Sequence, residues 1–191
     1  MTYTVDVRAL TNKISDRDLE QLCRENPDLR FEIDAEGKLI IMSPTGSLTG
    51  EKNSSLLAQI WNWNKQSKLG KVFDSSTGFK LSNGAIRSPD VSWIVINRWN
   101  SLNDKLKRGF APIDPDFVIE LLSPTDELTK TQNKMSEYLS CGVKLGWLIN
   151  PDRREVEIYR LGKAKEVLNN PKSLSEENTL PGLKVDLLDI F

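Results

Sequence analysis

The sequence contains two runs that decide the fold, Arg87-Ser-Pro-Asp-Val-Ser-Trp-Ile94 and Asp116-Phe-Val-Ile-Glu-Leu-Leu-Ser123. Both are short, rich in β-branched and aromatic residues and bounded by Pro, Asp or Ser, a pattern that predicts buried strands. Each run places one carboxylate, Asp90 or Glu120, in an apolar background. Because a buried, ionised carboxylate without a partner is costly, we expect both to be paired, close to water or on a metal ion. The alternative is that both lie at strand ends and face solvent or an arginine such as Arg87.

Length and composition indicate an ordinary soluble protein. The chain has 191 residues, 38% hydrophobic and 28% charged, with a formal net charge of -1. This size predicts a single domain over residues 1–191, and this charge means that nucleic-acid binding would depend on local basic patches. The sequence shows neither the pattern of a secretory signal nor an apolar run long enough to span a membrane. We therefore expect a cytoplasmic protein that does not bind membranes.

Several chemistries are excluded by the residues that the sequence lacks. The chain has no histidine, and its two cysteines, Cys23 and Cys141, lie far apart and outside any CxxC pattern. Histidine-dependent nucleophilic catalysis and Cys/His zinc sites are therefore ruled out, and buried inert thiols in a reducing compartment are expected. No phosphate-binding glycine-rich motif is present. Carboxylates, lysines and a bound metal ion remain.

The N-terminal part predicts a helix and then a hairpin. Ser15 can cap a helix that ends at Asn26-Pro27, within an N-terminal helical extension over residues 1–28. Residues 29–33 and 38–42 read as strands joined by a turn at Gly37.

A long core helix is predicted from about Leu48 to Lys68. Leu56 and Ile60 recur at helical spacing, which gives an apolar face. Glu51 is placed in the first turn, where the alternative to a functional role is a favourable interaction with the helix dipole. The Asn62–Lys71 end could contact DNA phosphates or could simply be solvated.

The middle of the chain predicts a meander and a basic connector. Residues 72–73 and 78–81 read as strands, and Asn83-Gly84 is a tight turn that leads to the Asp90 strand. Residues 97–113 predict a short helix and a loop with several Lys and Arg. This segment either rims a phosphate-binding cleft or is an ordinary charged connector.

After the Glu120 strand, Thr125 or Asp126 can cap a helix that runs to Ser140. Its helical period puts Gln132 and Lys134 near the edge of the face that meets the sheet. A strand over residues 145–149 and a returning strand over residues 154–159 follow, and residues 162–191 are expected to wrap the outside.

The strings RSPDVSWI, PDFVIELLSPTDEL and KMSEYLSCGVKLGWLINPDRREVEIYR closely resemble the Uma-two family of restriction endonucleases. GKLIIMSPTG and VFDSSTGFKLSNGAIRSPD extend the resemblance from about Leu29 to the C-terminus. The family has the PD-(D/E)xK nuclease fold. The resemblance implies an α/β (α+β) restriction-endonuclease-like core with a central mixed β-sheet flanked by helices. It also implies a metal-dependent DNA endonuclease using Mg²⁺ or Mn²⁺.

The resemblance also implies roles for individual residues. Asp90 and Glu120 would bind the metal ion, with the carbonyl of Leu121 as a further ligand, and the carboxylates are expected to lie roughly 4–6 Å apart. The lysine that such nucleases carry two residues after the Glu is replaced here by Leu122. Family members place Lys or Gln on the following helix, which points to Lys134 or Gln132, and a flexible cation favours Lys134. Glu32 and Glu51 are possible additional acids; a surface acid is the alternative for Glu32.

Two other functions stay open on the sequence. The missing in-strand lysine and the mild charge also fit a nuclease fold that binds nucleic acid or a protein partner without cutting it. A structural homodimer built on exposed Trp and Phe patches is the other alternative. We expect DNA as the binding partner. We also expect the protein to form a homodimer.

Overall fold

A computed structural model of the chain describes residues 2–7, 14–176 and 178–191, which form a mixed α/β fold. The helices are α1 (Asp16–Glu25), α2 (Ser47–Ser67), α3 (Ile96–Ser101), α4 (Asp104–Lys107) and α5 (Leu128–Ser140). The strands are β1 (Thr2–Val5), β2 (Arg30–Ile33), β3 (Leu39–Met42), β4 (Gly70–Asp74), β5 (Phe79–Lys80), β6 (Ile86–Arg87), β7 (Val91–Val95), β8 (Phe117–Leu121), β9 (Leu145–Asn150), β10 (Glu155–Arg160), β11 (Glu166–Asn169), β12 (Ser173–Glu176) and β13 (Leu183–Asp186).

The central sheet has the order β11-β10-β9-β8-β7-β4. Strands β8 and β9 run parallel and are connected through α5, whereas the other pairs are antiparallel. Val91 of β7 lies opposite Ile119 of β8. Continuing this register by one residue brings Asp90 opposite Glu120, and residues opposite each other in an antiparallel pair project to the same face. The predicted mixed central sheet flanked by helices is confirmed.

A second sheet has the order β1-β3-β2-β6-β5. The predicted hairpin is its centre, with β2 and β3 joined through Gly37, whose φ of 85° suits glycine. The expectation that a helix is the first ordered element is wrong, because β1 pairs with β3 ahead of α1. The helix α1 itself begins as predicted, with Ser15 and Asp18 forming a reciprocal capping box. Residues 1 and 8–13 of the predicted extension lie outside the described residues.

The predicted meander is also wrong, because β4 and β5 belong to different sheets. Asp74 accepts hydrogen bonds from Ser76 and Thr77, which turns the chain out of the central sheet before β5 begins. The Asp90 run is likewise divided into β6 and β7. Asp90 therefore lies immediately before a strand, following Pro89, which has no N–H for a ladder.

Apolar layers cover both faces of the central sheet. On one face, Leu56 and Ile60 of α2 pack on β7, β8 and β9, which confirms the predicted core helix. The tail contributes more than the predicted external wrap, since Leu183 and Val185 of β13 are fully enclosed in the same layer. Strand β12, which precedes β13 in the tail, and the residues after β13 add further buried side chains to this layer.

On the other face, α5 packs with Met135 and Tyr138 fully buried. Gly146 of β9 permits this close approach, because a Cβ atom there would lie 2.4 Å from Cε of Met135. The helix ends near Ser140 as predicted, but neither Thr125 nor Asp126 caps its start. Asp126 instead accepts hydrogen bonds from the amide and hydroxyl of Ser123 in the preceding turn. The packing of α5 fixes which of its side chains reach the end of β8.

Candidate active site

The two predicted carboxylates lie together at the ends of β7 and β8. Asp90 Oδ2 accepts a hydrogen bond from the amide of Leu121 at 2.8 Å, so Asp90 is joined directly to the residue that follows Glu120. Glu120 is buried, and its Oε1 accepts a hydrogen bond from the Tyr138 hydroxyl at 2.9 Å. The same oxygen lies 2.9 Å from Lys134 Nζ. Asp90, Glu120 and Lys134 therefore meet in one place.

Lys134 connects this pair to a third acid. Its Nζ lies 2.9 Å from Glu32 Oε1 as well as from Glu120, and its side chain is only 16% exposed. On α5, Lys134 lies between the exposed Asn133 and the buried Met135. Its side chain therefore leaves the helix at the edge of the face that meets the sheet. The helical spacing predicted this position.

Glu32 is deeply buried and belongs to a larger charge network. Arg87 Nη1 donates to Glu32 Oε2 at 3.0 Å, and the Ser88 amide donates to Oε1 at 2.8 Å. Arg87 also donates through Nε to Glu137 at 2.6 Å. The alternative in which Glu32 is a surface acid is therefore excluded. Arg87 pairs with Glu32 and Glu137. The alternative in which Asp90 and Glu120 face Arg87 is therefore wrong.

Other predicted residues lie elsewhere. Gln132 donates a hydrogen bond at 2.6 Å to Glu157 on β10, away from Asp90 and Glu120. Glu51 is exposed and lies just beyond the first turn of α2, because the helix begins at Ser47. The basic segment over residues 97–113 does not line the cleft at Asp90, within the described part of the chain. It contains α4 and most of α3. Arg98 of α3 forms an ion pair with Asp116.

Two site residues were missed from the sequence. Tyr138 is at helical spacing from Met135 and reads from the sequence as an ordinary apolar residue of α5, but its hydroxyl holds Glu120. Asn53 of α2 donates a hydrogen bond from Nδ2 to Asp90 Oδ1 at 3.2 Å. Helical spacing could have identified Asn53. It precedes the buried Leu56 by three residues and the buried Ile60 by seven, so it lies on the face of α2 that meets the sheet.

Burial and pairing move the pKa values in opposite directions within the site. Burial raises the pKa of Glu120 to about 7, since it outweighs the attraction of Lys134 and is reinforced by Asp90. Burial likewise raises the pKa of Asp90. Burial also acts on Glu32, but Lys134, Arg87 and the Ser88 amide outweigh it and hold the pKa of that carboxyl below its ordinary value. Glu32 is thus the charged partner of Lys134, and Glu120 is the carboxyl that readily takes a proton.

This difference predicts a pH dependence of the metal-free protein. The pKa of Glu120 rises from 4.5 to about 7 on folding, so Glu120 contributes stability that is present below pH 4.5 and is lost as the pH rises towards 7. The loss should be about 3 kcal/mol over that window. Urea unfolding in EDTA between pH 4 and 8 would measure it. Glu120→Gln should flatten the profile, and an equally steep profile in this variant would contradict the assignment.

The donor set fits a hard divalent cation. Asp90 and Glu120 supply carboxylate oxygens, and the buried Oδ1 of Asn53 has no hydrogen-bond partner among the described residues. No group of three or more acidic or cysteine side chains in those residues is placed to hold a metal ion by itself. Mg²⁺ typically uses one or two carboxylates and keeps several waters, so two acids suffice. Leu121, whose carbonyl is the predicted further ligand, donates its amide N–H to Asp90.

These residues open into a cleft of about 1420 Å³. It lies between β2 and β3 of the second sheet and the N-terminal ends of α2 and α5. Arg30, Lys38 and Lys52 line it together with Asp34 and several other acids. Its mixed charge would allow phosphate contacts but would not alone bind a polyanion tightly.

Comparisons with known proteins identify a family and a similar solved structure. Residues 16–189 match the model of the Uma2 family, described as "putative restriction endonuclease". A solved structure described as a "putative nuclease belonging to DUF820" from Anabaena variabilis ATCC 29413 is similar, with a TM-score of 0.69 and 25% identity over 84% of this chain and 89% of that one. A search among curated proteins gave no match. No helix in the described residues is long and apolar enough to cross a membrane. The extent of the family match and the shared fold show that this chain belongs to the Uma2 family.

Proposed function

We propose that this protein is a metal-dependent endonuclease that hydrolyses phosphodiester bonds of DNA. The observation that carries the proposal is the meeting of Asp90, Glu120 and Lys134 at one end of the central sheet, inside an open cleft. Two carboxylates and a lysine can serve metal-assisted hydrolysis in a chain that has no histidine. The family and the similar solved structure support a nuclease.

Each residue has a distinct part in this proposal. Asp90 and Glu120 would hold Mg²⁺ or Mn²⁺, with Leu121 as the predicted carbonyl ligand. When bound, the ion supplies Lewis-acid activation of water and neutralises negative charge on the phosphate. Lys134, 2.9 Å from Glu120 and carried on a helix, would orient the attacking water and stabilise its deprotonated form. It would replace the in-strand lysine whose position Leu122 occupies.

The charge of the cleft indicates how DNA would be bound. Lys38 and Lys52 lie on its walls and can contact phosphates, whereas Asp34 and Asp126 lie on the same walls. The metal ion would therefore contribute strongly to phosphate binding, and affinity for DNA without metal should be low.

Plasmid nicking tests the proposed function. Supercoiled plasmid would be incubated with the parent protein and Mg²⁺, Mn²⁺ or Ca²⁺, and with the double variant Asp90→Ala/Glu120→Ala prepared in parallel. We expect nicking by the parent with Mg²⁺ or Mn²⁺, none in EDTA and none by the double variant. Equal nicking by the double variant would reveal a contaminating nuclease and remove the support for this activity.

A second candidate is a nuclease fold that binds nucleic acid or a protein without cutting. Leu122 at the usual lysine position favours it, as does the engagement of Lys134 in two ion pairs. Gel-shift binding of DNA by a parent that cuts nothing with either metal would establish this candidate.

The homodimer and the cytoplasmic location also remain predictions. Trp61 on α2 is 55% exposed and Leu48 is 66% exposed, so both are available to a partner surface. Sedimentation equilibrium of the parent and of Trp61→Ser would test a dimer built on this helix.

A further inference from the structure

Asn53 has an unusual environment at the start of the buried face of α2. Its Nδ2 donates to Asp90 Oδ1 at 3.2 Å, whereas its Oδ1 is buried and accepts no hydrogen bond among the described residues. A buried polar atom without a partner is costly, and native structures contain few of them. An apolar residue here would continue the stripe of Leu56 and Ile60 at no such cost. The amide oxygen therefore calls for a partner that the protein itself does not supply.

The position of Asn53 separates it from the other unpartnered polar atoms. Ser67 and Ser92 also have buried hydroxyls without partners, but neither lines the cleft. The oxygen of Asp116 in the same condition lies 2.9 Å from Lys144 and is thus part of an ion pair. Asn53 alone in this set lines the cleft and contacts one of the two site carboxylates.

We propose that Asn53 is a metal-site residue, which holds Asp90 through its amide N–H and offers Oδ1 to a divalent cation or to the water around it. This inference rests on the proposed function. Amide oxygens are normal ligands of hard divalent cations, and a donor that fixes a ligating carboxylate strengthens binding. A neutral amide also adds an oxygen without further raising the repulsion between Asp90 and Glu120. Asn53 would thus fill the place on α2 that the sequence suggested for Glu51, which is exposed.

Calorimetric titration of Mn²⁺ into the protein, without DNA, tests this role. Asn53→Ala loses both the donor and the acceptor and should bind Mn²⁺ roughly 10-fold more weakly than the parent. Asn53→Asp loses the donor to Asp90 but keeps an oxygen at the same place, and it should bind Mn²⁺ more tightly than Asn53→Ala. Ser54→Ala is the matched control, because Ser54 is exposed in the same turn and its side-chain hydrogen bond among the described residues goes to the carbonyl of Gly50.

The outcomes separate this inference from the proposed function. Parent-like affinity in Asn53→Ala would overturn the inference while leaving the metal-dependent nuclease intact. Asn53→Asp binding as weakly as Asn53→Ala, with a native circular dichroism spectrum, would also overturn it, because the oxygen would then have no role. A parent that binds no Mn²⁺ at all would instead remove the metal-dependent function on which the inference rests.

Discussion

Replacing Lys134 with alanine should lower the rate of DNA cleavage by about 100-fold or more, the usual scale for losing one acid–base or positioning group. Lys134 Nζ is 2.9 Å from Glu120 Oε1, and Leu122 leaves no lysine on the strand itself. The variant removes one cation but neither carboxylate. Metal binding should therefore stay nearly intact while cleavage falls, which plasmid nicking and Mn²⁺ calorimetry would measure side by side.

Two matched variants sharpen this experiment. Lys163→Ala removes an exposed lysine from the turn between β10 and β11, outside the cleft lining. It should cut at the parent rate. Gln132→Ala removes the other candidate, which contacts Glu157 in the structure, and should also cut normally. If Gln132→Ala is slow and Lys134→Ala is fast, the water-positioning role passes to Gln132; if neither variant is slow, neither residue has that role.

Replacing Glu32 with alanine should reduce the free energy of unfolding by about 3–5 kcal/mol, the scale for breaking a buried ion pair from one side. Glu32 is 2% exposed and accepts from Arg87, Lys134 and the Ser88 amide. Its loss leaves two cations in the interior with one carboxylate each, Glu137 for Arg87 and Glu120 for Lys134. Urea unfolding at pH 7 measures the change.

Glu36→Ala provides the control for Glu32→Ala. It removes an exposed carboxylate from the turn of the same hairpin and should change stability by less than about 0.5 kcal/mol. Glu32→Gln keeps an acceptor for the Ser88 amide and should lie between the two. A Glu32→Ala variant as stable as Glu36→Ala would show that the network around Arg87 does not support the fold.

Much of the local structure was predictable because its causes are local. The capping box of Ser15 and Asp18, the hairpin at Gly37 and the apolar face of α2 each depend on residues within a few positions of one another. The same reasoning brought Lys134 to the edge of α5, since helical period alone sets that direction. The predicted cap of α5 was wrong because the Asp126 carboxylate accepts a hydrogen bond from Ser123 instead.

The sheet to which a strand belongs could not be predicted in the same way. Strands β4 and β5 are neighbours in sequence, yet each pairs with a different distant segment. The tail looked external by composition, although Leu183 and Val185 complete the layer under α2. Pairing and burial of this kind depend on which surfaces are left to cover after the rest of the chain has packed.

The sequence by itself determined which chemical groups this protein has, because residue types fix them: no histidine, isolated carboxylates in apolar runs and a lysine on the following helix. Tertiary structure decided the partners. The register of β7 against β8 sets Asp90 beside Glu120, and the packing of α5 on Gly146 carries Lys134 to Glu120 and Glu32. It also placed Asn53 of α2 at Asp90 and the Tyr138 hydroxyl at Glu120, while Gln132 contacts Glu157. Side-chain type is a property of one position, whereas a contact between α2, β2, β8 and α5 exists only once those elements have packed together.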